Sequence, residues 1–355
     1  STVGHVYFIE IFDHFNNLVQ RTDYDERGFK ARDEFFSSAG EPITDIFYRP
    51  DGSRMAEQYY AHDNNGTNYV SLCHLINYHG RDYYFNGEQE WYRFFLDELN
   101  KQYDENNVFI ADRPLAAQWP VVNMQTAAKK YLWLPTPHAV DPRDQVYSNL
   151  NNAYVYGLHE FLSAWDGVIT STEQQKQDLT QWLGGQPSVP ILTISAAVVS
   201  KPQAQHAPIS ISERHAHEII YTGRLDAERR VDQLVTAFDQ VHHKITDETL
   251  VIYGYGGELD RLKQQVSQLH LETAVTFAGY QPNLTMAYDQ AGAYVYTGES
   301  DAQPLSLIEA LSHGVPAIAY DINYGPKDVL KDGKNGYLVT DGAVNQLVRA
   351  LTRTL

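Results

Sequence analysis

Residues 298–321, GESDAQPLSLIEALSHGVPAIAYD, decide the architecture to expect. Pro304 suits a first helical turn, where its missing N–H does no harm. Leu305, Leu307, Ile308, Ala310 and Leu311 then give a mostly apolar helix, and Gly314 suits its end. PAIAY (316–320) follows at once, short and apolar as fully buried parallel strands are. Loop, helix and buried strand together make one arm of a parallel α/β layer.

The same alternation extends outward from this stretch. EIIYTG (218–223), TLVIYG (249–254), AVTFAG (274–279) and AYVYTG (293–298) read as buried strands separated by helical intervals. Upstream, NNVFIADRP, KKYLWLPTP and WDGVITST read the same way, the last entering a helix through the capping pattern Ser171-x-x-Gln174. EWYRFFLDELNKQY places Trp91, Phe94, Phe95, Leu99 and Tyr103 on a broad helical stripe. Residues 5–60 show no 3.6 period, and turn signals such as Pro50-Asp51-Gly52 point to an antiparallel meander. The expected organisation is an antiparallel β accessory block over 1–87, a Rossmann-like domain over 88–200, and a second Rossmann-like domain over 201–355. The Ala/Ser/Pro-rich segment 195–217 is the expected linker.

At 355 residues the chain exceeds what one core usually serves. The net charge of −18 argues against nucleic acid, which needs a basic surface. Residues 1–200 carry 14 Lys+Arg against 26 Asp+Glu, so a polyanionic partner would need a local basic groove. The single cysteine, Cys73, excludes an internal disulfide and a CxxC site, and reads as a buried structural thiol. Asp23-Tyr24-Asp25 lies in the strand-rich block and reads as a turn, not a metal motif. STVGHVYFIEIFDHF lacks the basic start and cleavage site of a signal peptide, and no apolar run approaches membrane-span length, so a cytoplasmic protein is expected. The 25 tyrosines suit either strand surfaces or contacts to sugars and proteins.

Ligand chemistry in such a domain gathers at the carboxyl ends of the strands. Arg224 stands at one strand end, and Arg229 and Arg230 at the start of the next helix, where cations beside a helix N-terminus suit a diphosphate. Gly254, Gly256 and Gly257 make a loose glycine loop without the spacing of a dinucleotide fingerprint or a Walker lysine. After Gly279, Tyr280-Gln281-Pro282 could hydrogen-bond a nucleobase through the backbone, with Tyr280 lining its pocket. Ser306, Glu309 and Ser312 form a polar stripe on the 305–312 helix. This is either a solvated face or, through Glu309, a grip on hydroxyls such as a ribose diol.

GRL…ERR, YGYGGE, FAGY and Asp-x7-Glu followed by ALSHGVPAIAYD resemble the donor half of family 4 glycosyltransferases, retaining enzymes of GT-B fold. The tail NYGPKDVLKDGKNGYLV and the block RTDYDERGFKARDEFFSSAGEPITDIFYRPDG resemble a narrower group. It holds bacterial poly(glycerol-phosphate) α-glucosyltransferases, poly(ribitol-phosphate) N-acetylglucosaminyltransferases, and relatives that glycosylate serine-rich adhesins. The resemblance implies a UDP-sugar donor, no cofactor and no metal. The implied acceptor is teichoic acid or a serine-rich protein. It also implies self-association through the β block and leaves room for peripheral membrane contact. Arg224 and Arg229 would hold the diphosphate and Glu309 the ribose. Gly279, Tyr280 and Leu305 would line the donor site, and Asp301 with His138 would serve at the reacting sugar. Asp301 replaces the usual glutamate and Gln303-Pro304 the usual Phe-Gly. A non-catalytic, glycosyltransferase-like stabilising partner is the alternative that this altered loop suggests. The resemblance further implies family segments before residue 1 and after Leu355.

Overall fold

The computed structural model describes residues 6–103, 106–201, 209–210 and 213–355, so the linker expected over 195–217 lies partly outside them. The chain divides into two compact units, residues 1–109 with 116–129, and residues 110–115 with 130–355.

The first unit is a meander of seven antiparallel strands in sequential order: β1 (Phe8–Phe12), β2 (Leu18–Tyr24), β3 (Lys30–Phe36), β4 (Pro42–Tyr48), β5 (Arg54–His62), β6 (Asn68–Tyr78) and β7 (Arg81–Phe85). Its hairpins close on one repeated turn, in which Gly28, Gly40, Gly52 and Gly66 each adopt positive φ three residues after the turn begins. The helix Glu88–Gln102 lays Trp91 and Phe94 on the apolar face formed by Ala56, Cys73, Leu75 and Phe85. The stripe is narrower than the sequence suggests, because Phe95 and Tyr103 point to solvent. Cys73 is fully buried and its thiol is pushed up to about 11 by burial, as a structural thiol should be.

The second unit holds two parallel sheets. One has the order β11-β10-β9-β8, from β8 (Val108–Ala111), β9 (Lys129–Leu134), β10 (Gly167–Thr170) and β11 (Ile191–Thr193). The helix Glu173–Trp182 that follows β10 is capped by Thr172, whose hydroxyl accepts from Gln175 N at 3.1 Å. The cap therefore sits one residue later than Ser171-x-x-Gln174. Ser171 N instead donates to Gln175 Oε1, at 3.3 Å.

The other sheet runs β14-β13-β12-β15-β16-β17, from β12 (His215–Thr222), β13 (Thr249–Tyr253), β14 (Val275–Gly279), β15 (Ala291–Tyr296), β16 (Ala317–Asp321) and β17 (Gly336–Thr340). Ile219, Ile220, Leu250, Ile252, Val295 and Ile318 are buried in its core, which explains why these strands read as unbroken apolar runs. GT-B is the architecture these layers make.

A few polar contacts join elements of the two sheets. Tyr324 donates to Asp178 at 2.8 Å, Asn323 Nδ2 to the Pro142 carbonyl at 3.2 Å, and Arg143 pairs with Asp341 at 3.2 Å.

Gly254 shows how tightly the strand ends are packed. Its φ is 142°, and a Cβ there would lie 1.8 Å from the Gly223 carbonyl oxygen, so backbone would meet backbone. Gly254→Ala should therefore cost about 3 kcal/mol in urea unfolding, combining overpacking with backbone strain. Gly257→Ala, where nothing lies within 4 Å, should cost under about 1 kcal/mol.

Candidate active site

The strand order of the six-stranded sheet reverses between β12 and β15, so the loops leaving these two strands diverge and open a crevice at their carboxyl ends. The β12 loop supplies Arg224 and a 3₁₀ turn, Ala227–Arg229, ahead of the helix Val231–His242. The β15 loop supplies Asp301, Gln303 and Pro304, ahead of the helix Leu305–Ser312. Pro304 caps that helix instead of starting it, with ψ of 102°.

One cluster ties the two loops together. Arg229 Nη1 donates to the Tyr296 hydroxyl at 2.7 Å and to Asp301 Oδ2 at 2.9 Å, and the Tyr296 hydroxyl donates to the same oxygen at 2.9 Å. Burial disfavours the Arg229 cation, but the Tyr296 phenol and Asp301 carboxylate more than offset it, holding the guanidinium firmly charged. Burial first, and the Asp301 charge second, push the Tyr296 phenol well above its ordinary range. The backbone adds further ties, since Thr297 Oγ1 donates to Arg229 O and Glu299 N to Glu228 O, both at 2.8 Å. Arg230 points away from the crevice. It donates to Gly298 O at 2.7 Å and pairs with Asp341 at 2.5 Å.

Gln303 anchors the β15 loop from another side. Its Oε1 accepts from Ser195 Oγ at 2.9 Å and from Ala196 N at 2.8 Å. Asp301 itself is pinned by its backbone, with Tyr324 N donating to Asp301 O at 2.5 Å.

Two adjoining cavities occupy the crevice. The larger, about 520 Å³, is walled by Arg224, Arg229, Tyr296 and Asp301 from the six-stranded sheet and its loops and by Asp112, Trp133 and Pro135 from the four-stranded sheet and its loops. The smaller, about 370 Å³, shares Thr222, Gly223, Arg224, Leu305 and Ser306 with it, and adds Glu309, Tyr255 and Tyr280. Glu309 Oε2 accepts from the Tyr288 hydroxyl at 3.1 Å, and that hydroxyl lies 2.7 Å from Thr222 Oγ1. The Tyr255 and Tyr280 rings are exposed and meet edge to face, with centroids 6.1 Å apart. Together the cavities offer cations, a carboxylate in reach of hydroxyls, and aromatic walls.

The structure brings Arg224, Arg229, Asp301, Leu305, Tyr280 and Glu309 onto these walls. Arg224 is mostly exposed and turned toward Asp226 and Glu228. Gly279 closes β14 at φ 69°, and its carbonyl accepts from Gly254 N at 2.9 Å. His138 is not brought to the others. Its ring is fully buried, touches Trp182 edge to face, and has no hydrogen-bond partner on either nitrogen. Pro135, at the end of β9, stands on the wall instead. Sequence reasoning missed Tyr296, Tyr255 and Asp112, and read Gln303 only as a departure from the family's usual Phe. Tyr296 was readable only as a strand residue, although a phenol at the carboxyl end of a parallel strand is the available signal.

Among the described residues, one grouping of metal-ligating side chains occurs, His217, Asp247 and Glu248, with ligand atoms within 4.8 Å of one another. It lies at the amino ends of β12 and β13, the edge opposite the crevice, where His217 Nδ1 pairs with Glu248 at 2.7 Å. No helix among the described residues is long and apolar enough to cross a membrane.

Paired parallel sheets with a crevice at the switch point define a GT-B architecture, the fold of the pneumococcal O-GlcNAc transferase GtfA. That structure, a complex with UDP and GlcNAc, matches at a TM-score of 0.81 and 24% identity, over 98% of this chain and 66% of that one. Residues 206–355 match the model of the family described as glycosyl transferases group 1. Among curated relatives, the UDP-N-acetylglucosamine–peptide N-acetylglucosaminyltransferase GtfA subunit of Streptococcus pneumoniae is 27% identical over 93% of this chain and 65% of its own length. The poly(glycerol-phosphate) alpha-glucosyltransferase of Bacillus subtilis is 23% identical over 97% of this chain and 50% of its own length. The chain thus spans between half and two thirds of these relatives.

Burial drops the His138 imidazole to about 4 from an ordinary 6.5, with the Asp178 charge pulling the other way. A neutral buried imidazole favours folding fully above pH 6.5. Between pH 6.5 and 4 the unfolded chain binds a proton that the folded chain refuses, so stability falls as pH falls. The expected loss across this window is about 3 kcal/mol. Denaturant titrations from pH 4 to 7 check it, and His138→Gln should flatten the slope relative to wild type.

Proposed function

We propose that this crevice binds a UDP-sugar and transfers glucose or N-acetylglucosamine, with retention of the α configuration, to a hydroxyl of a polyol-phosphate polymer. A serine-rich protein is the alternative acceptor. The observation that carries the reading is the Arg229–Tyr296–Asp301 cluster on the wall of the larger cavity. It sets a fixed cation and a carboxylate where a diphosphate and a sugar would meet. In this reading the smaller cavity takes the nucleoside, with Tyr280 and Tyr255 beside the base and Glu309 accepting from the ribose hydroxyls. The larger cavity takes the diphosphate and sugar, with Leu305 shared between them.

Chemically, the hard part of glycosyl transfer is the charge that builds on the departing UDP. A guanidinium already desolvated and aimed into the cleft stabilises that charge without reorganising at the moment of reaction. Arg229 serves this role, and Arg224 adds a second cation by leaving its surface partners. Asp301 shares one oxygen with Arg229 and Tyr296 and keeps lone-pair capacity for a sugar hydroxyl. Its other oxygen accepts only a 3.3 Å contact from Gln303 N. His138 is given no part in this scheme, since its ring does not reach either cavity.

One observation favours a second reading, a non-catalytic partner of an active glycosyltransferase. Asp301 Oδ2 is already engaged by two donors, and Pro304 offers no N–H to a phosphate. The readings separate on turnover, because a partner protein would neither hydrolyse nor transfer a UDP-sugar.

Calorimetry with UDP, UDP-glucose and UDP-N-acetylglucosamine should give a measurable Kd for UDP and a preference between the two sugars. Arg229→Ala should weaken UDP by about tenfold to a hundredfold, the worth of a charge-assisted contact. Glu309→Ala should weaken it by about tenfold through the ribose. No binding of any of the three ligands by the wild-type protein would sink the donor assignment.

A further inference from the structure

We infer that Asp112 is the carboxylate that receives the acceptor hydroxyl in this crevice, and that the reacting acceptor unit is an uncharged hydroxyl carrier. The inference rests on the nucleotide-sugar reading above. Asp112 directly follows β8, at the carboxyl end of a parallel strand, and is exposed on the wall of the larger cavity. Four charged side chains wall that cavity: Asp112, Arg224, Arg229 and Asp301. Three of them are already matched, Arg224 by Asp226 and Glu228, and Arg229 by Asp301. Asp112 is the one with no ion-pair or hydrogen-bond partner among the described residues. Its own side of the wall consists of Trp133, Pro135, Ser171 and Ala196, and holds no cation.

An unmatched carboxylate on a wall of apolar and hydroxyl groups accepts hydrogen bonds from O–H donors and repels phosphate. The cations of this cavity come from the β12 loop and Asp112 from the end of β8, so different segments supply its anion-binding and hydroxyl-binding groups. In transfer, the acceptor oxygen forms the bond to the sugar C1 as the C1–oxygen bond to UDP breaks. The electron pair leaves with UDP, and the hydroxyl proton passes to the departing phosphate oxygen. Asp112 holds the hydroxyl in line for that exchange. Phosphate groups of a longer acceptor lie away from this wall.

The test uses the full chain and Asp112→Asn, with glycerol, sn-glycerol 3-phosphate and a serine-containing peptide as acceptor probes and the UDP-sugar that calorimetry selects as donor. For glycerol and the peptide, kcat/KM should fall by about tenfold or more, mainly through KM, while the Kd for UDP stays within about twofold. Removing the charge should also lower the preference for glycerol over sn-glycerol 3-phosphate, a change that a loss of folding would not produce. Unchanged acceptor kinetics would overturn the proposal, as would a UDP Kd that weakens in parallel, which would move Asp112 to the donor side. A wild-type protein that binds no uridine nucleotide would overturn the underlying reading, and the inference with it.

Discussion

A single carboxylate oxygen, Asp301 Oδ2, accepts from both Arg229 and Tyr296, and the shape of the crevice depends on that contact. Strand-order reversal alone would send the β12 and β15 loops apart. The shared oxygen draws them back to one point, in a place where less than a quarter of either the Arg229 or the Asp301 side chain is exposed. Charge-assisted bonds of this kind are short and directional, and losing one partner leaves a buried charge without compensation. The cluster therefore fixes loop geometry and presents a cation at once. Neither role can be altered without the other.

The tyrosines explain how a core of apolar strands supports this polar edge. Tyr221, Tyr288, Tyr294 and Tyr296 are all buried, yet each hydroxyl ends on a polar group at the crevice: Arg224 O, Glu309, Ser306 and Asp301. A phenol spans the hydrophobic layer with only two rotatable bonds and delivers one donor at its tip. Burial keeps these phenols protonated, with Tyr294 pushed up to about 12. They act as rigid struts between core and site.

Much of this was legible in the sequence because it follows from local pattern. Buried parallel strands announce themselves as apolar runs, and Gly28, Gly40, Gly52 and Gly66 mark the hairpins of the meander. Arg229 and Glu309 were found because a cation at a helix start suits a diphosphate and a carboxylate on the polar stripe of an apolar helix suits hydroxyls, and the family resemblance gave both a place. What the sequence hid were relations between distant segments. Tyr296 looks like any strand tyrosine until the fold brings Arg229 to its hydroxyl. Gln303 looks like a plain departure from Phe until Ser195 and Ala196 are seen donating to it. His138 was singled out by resemblance alone, and its burial behind Trp182 depends on packing that no local motif encodes. The displaced helix cap, Thr172 for Ser171, marks the usual limit on reading helix ends.

Arg229 and Arg230 are consecutive, and they grip different things. Arg229 holds Asp301 inside the crevice, while Arg230 holds Asp341, which also meets Arg143 from the other sheet. The Arg143 contact is largely solvated and exposed pairs hold weakly, whereas the Arg230 contact is nearly buried. The turn at 227–230 thus carries a soft outer latch and a stiff inner one. Separation of the two sheets can release Arg143 and leave the cluster intact, but displacement of the turn itself must break both carboxylates free together.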